Sequence, residues 1–510
     1  MVEIKKNSTR LIINTVAQYI RTIINLLLSL YSTRLILKAL GVEDYGIFTL
    51  IAGVVAMLAF ITNAMITTTQ RFMSYHQAKS DLLTQQKIFS NSLLLHIIFS
   101  IIVLTLLELA SLFLFDGFLN ITPSRLSAAR SVYQCTIIMV ITSFLTAPYK
   151  ALIISHENLI YTSIINVLDG VAKVIIALLL VRFQYDKLVV YGYLMVGLYI
   201  LNLFAYSLYD LRNYKECIMP KIQYLNKDYI TSMSSFVGWQ LYSTGCIIGR
   251  TQGTAIILNK FFSTVVNAAF GIALQINGAI SFLSSSIMLA ITPQIVKAEG
   301  AGQREKMFSL AATASKFSFL LLAMVAIPVI FHINSIIQLW LGEEPAYSSL
   351  FCRVIIITAL VDQLTIGLGT ANTAIGNIRN YSLIINSIKI LTLPILIILF
   401  LLKVPLDIAI WCYPLIELIC SLMRIPYLSI TSSLNIKNYL SSVFSKIPIP
   451  LIYLILVYTI TTLFPFQLWT ILLISIIICI VYGVIIYNIG LENNEKYLIK
   501  NLVHQIIRKL

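Results

Sequence analysis

Apolar runs long enough to cross a bilayer follow one another along almost the whole chain, and this constrains the fold more than any other feature. A spanning helix needs about 20 predominantly apolar residues. Such windows fall near residues 12–37, 45–67, 88–115, 130–154, 160–181, 188–209, 230–257, 264–292, 312–337, 352–375, 381–402, 407–430, 447–464 and 468–488. The expectation is an all-α polytopic membrane protein of about 14 transmembrane helices. Charged residues make up 11% of the chain, under half of the roughly 25% that coats a soluble domain, which excludes a soluble enzyme.

The basic start (Lys5, Lys6, Arg10) followed by an apolar stretch has the outline of a signal peptide. The stretch runs past residue 37, contains Arg21 and has no small-residue cleavage site, so it reads as a retained first span. The seven cysteines are scattered, with no Cys-x-x-Cys pair and no histidine at ligand spacing, which argues against a disulfide framework or a zinc site. A phosphate-binding glycine loop is absent from the sequence. Any energy source must then be an ion gradient or the gradient of the substrate itself.

The net charge of +15 invites a nucleic-acid reading, but in a membrane protein the positions of the cations matter first. With the N-terminus in the cytoplasm, 22 Lys and Arg fall on the inner side and eight on the outer side. That is a positive-inside bias, and an even number of spans then places both termini in the cytoplasm. The longest polar connection, 210–229, divides the chain into a first lobe (1–209), a linker, a second lobe (230–430), two further helices (431–488) and a tail (489–510).

The two lobes repeat one another. Tyr45-Gly46-Ile47 recurs as Phe270-Gly271-Ile272, Thr69-Gln70 as Pro293-Gln294, and Lys87-Ile88-Phe89-Ser90 as Lys306-Met307-Phe308-Ser309. Tyr161-x-x-Ile164-Ile165-Asn166 recurs as Tyr381-x-x-Ile384-Ile385-Asn386, and the four offsets stay between 219 and 225. Six spans per repeat keep the same orientation, which predicts two six-helix lobes related by a pseudo-twofold axis along the membrane normal.

Span one carries Asn14, Gln18, Arg21, Asn25, Ser29 and Ser32 on one helical face. An arginine at the bilayer centre costs about 2.5–3.5 kcal/mol on insertion scales, so this face must line the lobe interior or a wet cavity. The repeat offset carries Gln18 onto Ser243 and Asn25 onto Arg250, giving span seven a related stripe. Asp169 and Lys173 lie four apart in span five and can neutralise each other. Asp362 and Glu417, within spans ten and twelve, are candidate proton or cation sites or partners in an interlobe salt bridge. Pro148, Pro328, Pro394 and Pro414 are candidate bending points. Two facing guanidinium groups among Asn, Gln, Ser, Thr and Tyr suit an anionic, hydroxyl-rich head group, because arginine forms bidentate bonds to phosphate oxygens.

Gly41-Val42-Glu43-Asp44-Tyr45-Gly46 after the first span, with Thr68-Thr69-Gln70-Arg71-Phe72 at the end of the second, resembles the polysaccharide-export branch of the multidrug/oligosaccharidyl-lipid/polysaccharide (MOP) exporter superfamily. More narrowly, it is similar to the Wzx-type O-antigen and capsule flippases of bacterial inner membranes. The resemblance implies a MATE-like two-lobe fold working by alternating access. It also implies an undecaprenyl-diphosphate-linked oligosaccharide as substrate, moved from the cytoplasmic to the periplasmic leaflet. Membrane lipids and a polysaccharide polymerase are the expected partners, with no nucleic acid. No cofactor is implied, with H+ or Na+ as candidate coupling ions. Arg21 and Arg250 match in character the cationic cavity of such flippases, with Gln18, Asn25, Ser243 and Asn14 beside them as substrate contacts.

Two other readings differ from this one. A cation-coupled multidrug exporter of the same fold would use carboxylates, for which span one offers none and Asp362 leaves room. A membrane-embedded polymerase or glycosyltransferase would need a sizeable extramembrane loop with catalytic acids or bases, and the outer connections are short.

Overall fold

The computed structural model describes residues 2–56, 58–79, 81–115, 122–180, 182, 184–262, 264–342, 344–463, 468–492 and 496. Side chains are described from Gln18 onward, except at 23, 26, 30, 42, 50, 52–56, 222, 264, 468, 469, 471 and 472. All regular structure among these residues is helical. In chain order the helices are α1 (Val2–Leu40), α2 (Val42–Ala56), α3 (Ala59–Gln77), α4 (Leu82–Phe113), α5 (Leu126–Ser155), α6 (Leu159–Leu180), α7 (Lys187–Asn213), α8 (Lys227–Phe261), α9 (Thr264–Gly300) and α10 (Arg304–Phe331). They continue as α11 (Ile333–Leu341), α12 (Ser348–Gln363), α13 (Ile366–Ile375), α14 (Ile378–Tyr381), α15 (Ser387–Ile390), α16 (Thr392–Leu401), α17 (Leu406–Ala409), α18 (Cys412–Ser432), α19 (Ile436–Tyr439), α20 (Pro448–Leu463) and α21 (Leu468–Ile485).

Among the described residues, 11 helices are long and apolar enough to cross a membrane, or 12 if the bent pair α12 and α13 is one span. The expected count of fourteen is not reached, and the shortfall lies in the second and seventh windows. The second is divided between α2, only 15 residues long, and α3. The seventh is α8, a 35-residue helix interrupted by Ser243, Thr244, Arg250, Thr251, Gln252 and Thr254. Polar residues in a membrane helix need partners inside the protein, and α8 finds them in the second unit.

Two compact units make up the chain: the first holds Ile13–Leu241, and the second holds Tyr242–Leu510 together with Met1–Ile12. In the first, α5 is the central helix, two-thirds buried over its apolar window and packed against α2, α3, α4, α6 and α7. Its small and branched residues Ala128, Ala129, Val132 and Val140 are almost fully buried, so neighbouring helices surround it closely. In the second, α9, α10 and α12 pack on one another, and α18 packs on α12 and α13. The contact of α10 with α13 depends on Gly367: a Cβ there would run into the carbonyl oxygen of Ala311, and the Gly367 amide donates to Ser315 Oγ at 3.0 Å.

Helix ends follow ordinary capping chemistry. Asp186 accepts from the amides of Leu188 and Val189 at the start of α7, and Asn435 accepts from the Asn438 amide at the start of α19. Gly376, at φ 95°, closes α13 in the left-handed region where glycine is unstrained. The sequence places a linker at 210–229, and its residues are bound to the first unit. Gln86 donates to the Lys215 carbonyl, Asn91 bonds Tyr224 and Asn226, and His156 meets Glu216 at 2.5 Å.

Candidate polar centres of the two units

Within the first unit, α3, α5, α6 and α7 enclose a cavity of about 270 Å³ whose lining is mostly polar. On α6, Lys173 Nζ lies 2.7 Å from Asp169 Oδ2, and Asn202 on α7 donates to Asp169 Oδ1 at 2.8 Å. Lys150 on α5 lines the same cavity with Asn63, Asn166 and Tyr206. Lys150 interacts electrostatically with both Arg21 and Asp169, and Arg21 with Tyr206. Among the described residues Arg21 has no carboxylate partner. The cluster therefore holds three cations against one carboxylate. In a water-poor interior such an excess acts strongly on any anion that enters. A second cavity of about 250 Å³ shares Ala59, Thr62, Ser143 and Tyr199 with the first and extends it over apolar residues such as Phe48, Met139 and Met195.

The second unit contains a buried ion network. Arg250 on α8 is 5% exposed; its Nη1 donates to Glu417 Oε2 at 2.7 Å and its Nη2 to the Tyr413 carbonyl at 3.2 Å. The guanidinium carbon lies 4.0 Å from the centre of the Tyr413 ring, a cation–π distance. Lys389 on α15 bridges Glu417 at 2.7 Å and Asp362 at 3.3 Å, and Arg424 on α18 reaches Asp362 at 2.8 Å. Three cations and two carboxylates thus tie α8, α12, α15 and α18 together. Buried charges of this kind persist only when paired and hydrogen-bonded.

Gln18 is fully buried and donates to the Leu159 carbonyl at 3.3 Å and to Ser163 Oγ at 3.1 Å, both on α6. Asn25 faces Gly170, where an added Cβ would stand 3.1 Å from its Oδ1. The polar stripe of α1 is thus partly spent on contact with α6. Ser243 meets Ser382 at 2.8 Å, a contact between α8 and a π-helical turn over Ser382–Asn386. Asn14 lies outside the residues whose side chains are described. Asp362 and Glu417 both belong to the second unit, and their ion pairs lie within it. The interlobe bridge allowed from sequence is replaced by an intra-unit network, because Lys389 and Arg424 supply the opposite charges locally.

Lys150 and Arg424 are among the 22 cations that the sequence alone assigns to the cytoplasmic side, yet Lys150 lines the first cavity and Arg424 is buried in the second network. The available signal was charge balance, since carboxylates such as Asp169 and Asp362 inside spans require cations at similar depth.

The backbone arrangement has close counterparts among solved structures. A MATE structure in complex with the compound MaL6 superposes with a TM-score of 0.71 at 11% identity, covering 85% of this chain and 97% of that one. A variant of the Vibrio cholerae MATE transporter VcmN gives 0.71 at 14% identity, covering 86% and 99%. This chain has the MATE-like fold. A MOP superfamily transporter from Pyrococcus furiosus, described as having a binding pocket of reversed polarity that suggests a different function, gives 0.67 at 13% identity, covering 85% and 96%. Among curated proteins, the uncharacterized membrane protein EpsK of Bacillus subtilis (strain 168) is 23% identical over 344 residues. That match covers 66% of each chain, just under two-thirds of the relative's length. No protein-family model matches the chain.

Proposed function

We propose that this MATE-like membrane protein is a flippase for undecaprenyl-diphosphate-linked oligosaccharides, the repeat units of O-antigen or capsule, working by alternating access in the bacterial inner membrane with both termini cytoplasmic. The observation that carries this reading is the cavity of the first unit, where Lys150 and Lys173 outnumber Asp169 among amide and hydroxyl side chains, with Arg21 acting electrostatically on Lys150 beside it. A diphosphate needs fixed cations, and a sugar needs neutral donors and acceptors around it. Arg21 and Lys150 are assigned to the diphosphate. Arg250 is assigned to holding the second unit together, since Glu417 and Tyr413 already engage it. No covalent chemistry is required of the chain, and a polysaccharide polymerase would receive its product.

The test is transport itself. Proteoliposomes carrying a fluorescent undecaprenyl-diphosphate oligosaccharide are sampled with a membrane-impermeant sugar-cleaving enzyme. Wild-type protein should move the lipid between leaflets, and Lys150→Ala should slow movement about tenfold, a loss of about 1.4 kcal/mol. Equal rates in wild-type, Lys150→Ala and protein-free vesicles would overturn the assignment.

One observation favours a second reading: the cavity also holds a carboxylate, Asp169, bonded to Asn202. In a cation-coupled drug exporter that carboxylate would bind H+ or Na+ in exchange for a cationic drug. Resistance of a drug-sensitive host to cationic dyes, lost in Asp169→Asn, would select that reading.

A further inference from the structure

The linker between α7 and α8 is docked on the first unit around one acid that the transport reading does not use. Asp210, near the end of α7, is 0% exposed, and neither of its carboxylate oxygens has a hydrogen-bond partner among the described residues. No lysine or arginine among those residues pairs with it either. The titratable groups that act on it electrostatically are Tyr149 on α5, Tyr161 on α6, Tyr206 on α7, and Tyr214, Glu216 and Cys217 of the linker. Glu216 is also buried, yet it is well supplied with donors. His156 Nε2 lies 2.5 Å from its Oε1, and Gln77 and its own backbone amide bond it as well. Burial pushes the Glu216 carboxyl up, but these bonds outweigh it and hold the group below its ordinary value. Two buried carboxyl groups thus lie near one another with opposite provision: Glu216 has three donors and Asp210 has none.

We propose that Asp210 is a proton-binding site, occupied while the linker is docked and emptied when the linker lifts off. An ionised carboxylate without a donor is costly to keep out of water, and a second negative charge nearby adds to that cost. The neutral acid avoids both. The linker supplies the cover. Tyr214 donates its amide to the Asp210 carbonyl at 2.8 Å and stacks its ring on His156 at 4.0 Å, and the Cys217 amide donates to the Tyr214 carbonyl at 3.1 Å. Lifting residues 214–217 would bring water to Asp210, and a carboxyl in water titrates near about 4, so it gives up its proton at neutral pH. Docking and proton uptake are therefore one equilibrium. Its sign follows from linkage: above about pH 4 the docked state holds one proton more than the lifted state, so docking weakens as pH rises. That limit lasts until docked Asp210 itself ionises. On the side to which the positive-inside bias assigns the linker, acidification tightens this tether between α7 and α8, and alkalinisation loosens it. The inference does not depend on what the first unit's cavity carries.

Hydrogen exchange of the full-length protein in detergent tests this, with protection corrected for intrinsic exchange at about pH 5, 6 and 7. The amides to follow are those of Tyr214, Cys217, Tyr224 and Asn226, all hydrogen-bonded in the docked linker. Wild-type protection there should fall about tenfold per pH unit, the signature of one proton released on opening. The tyrosines and Cys217 stay neutral over this range, which leaves His156 as the other group able to produce such a slope. Asp210→Asn is nearly isosteric and neutral at every pH, and it should remove the dependence. His156→Gln is also neutral at every pH and can still donate to Glu216, and it should keep the dependence. Protection independent of pH in the wild-type protein, or the same dependence in Asp210→Asn as in wild type, would overturn the inference. A dependence that vanishes only in His156→Gln would assign the proton to His156 and overturn it equally.

Discussion

Arg250 and Glu417 meet at 2.7 Å where both side chains are almost fully buried. The pair is not symmetric in what each partner also holds. Glu417 faces Lys389 as well, whereas Arg250 has no second carboxylate within ion-pair distance among the described residues. Removing Glu417 therefore strands a buried guanidinium, and removing Arg250 leaves Glu417 with Lys389. Breaking a buried pair by deleting one partner costs about 3–5 kcal/mol. Glu417→Ala should reach that range, and Arg250→Met should cost clearly less. Thermal unfolding midpoints of the two variants in detergent decide the order, and a larger loss in Arg250→Met would show that the network is not what holds α8 to α18.

The cationic excess of the first unit's cavity makes a prediction about charge that is separate from transport rate. Asp169→Asn removes the carboxylate that neutralises Lys173, raising the local positive charge, and Lys150→Gln lowers it. Affinity for a short-chain polyprenyl diphosphate should rise in the first variant and fall in the second, by about tenfold in the latter case. Salt should weaken binding least in Lys150→Gln, which has the fewest cations. Titration calorimetry at two ionic strengths measures both, and equal affinity in all three proteins would remove the cavity from consideration as the anion site.

Much of this arrangement was readable in advance, and the parts that were not share one cause. The Gln18–Ser163 contact of α1 with α6 is matched by Ser243–Ser382 in the second unit, at offsets of 225 and 219, within the spacing of the sequence repeat. The Asp169–Lys173 pair follows from helical spacing alone. Lys150 and Arg424 escaped because each sits near the end of an apolar window, where a cation reads as a topological marker. Their depth depends on which neighbours surround α5 and α18, and that is a tertiary property. For Arg250 the spacing leaves the role open, because a stripe of polar residues looks the same whether it lines water or a partner helix. Glu417, 167 residues away, decided which.

Glycine positions in the second unit separate close helix approach from mere occurrence. At Gly367 an added Cβ would meet the Ala311 backbone carbonyl, which belongs to a helix and cannot yield. Gly367→Ala should cost about 1–3 kcal/mol, the usual range for overpacking. At Gly271 an added Cβ meets nothing within 4 Å. Gly271→Ala, within α9, should be neutral or stabilising by up to about 1 kcal/mol through helix propensity. Unfolding midpoints of the two variants, measured side by side, should move in these different directions. An equal loss in both would mean that α10 and α13 are not in close contact at Gly367.

At the end of α5 opposite Ser155, Arg125 joins three helices through one guanidinium. Its Nε donates to Asp44 Oδ1 at 2.7 Å and its Nη1 to Asp186 Oδ2 at 2.7 Å. Asp186 also caps α7. The hydrogen bond from Arg125 holds the Asp186 carboxyl below its ordinary value of 3.8, against the smaller opposing effect of burial. A carboxylate whose folded pKa is depressed contributes stability that is fully present above the unfolded value. That contribution is lost as pH falls through the folded value. Asp186→Asn keeps a good capping side chain and removes only the charge, so the variant isolates the ion pair. Its unfolding midpoint should lie below wild type at pH 7, and the gap should close as pH drops below about 4 and the wild-type carboxyl takes up its proton. A gap that stays constant from pH 7 to pH 3 would show that the Asp186 charge adds nothing to the cap. Because Asp186 is partly exposed, added salt should also narrow the gap at pH 7.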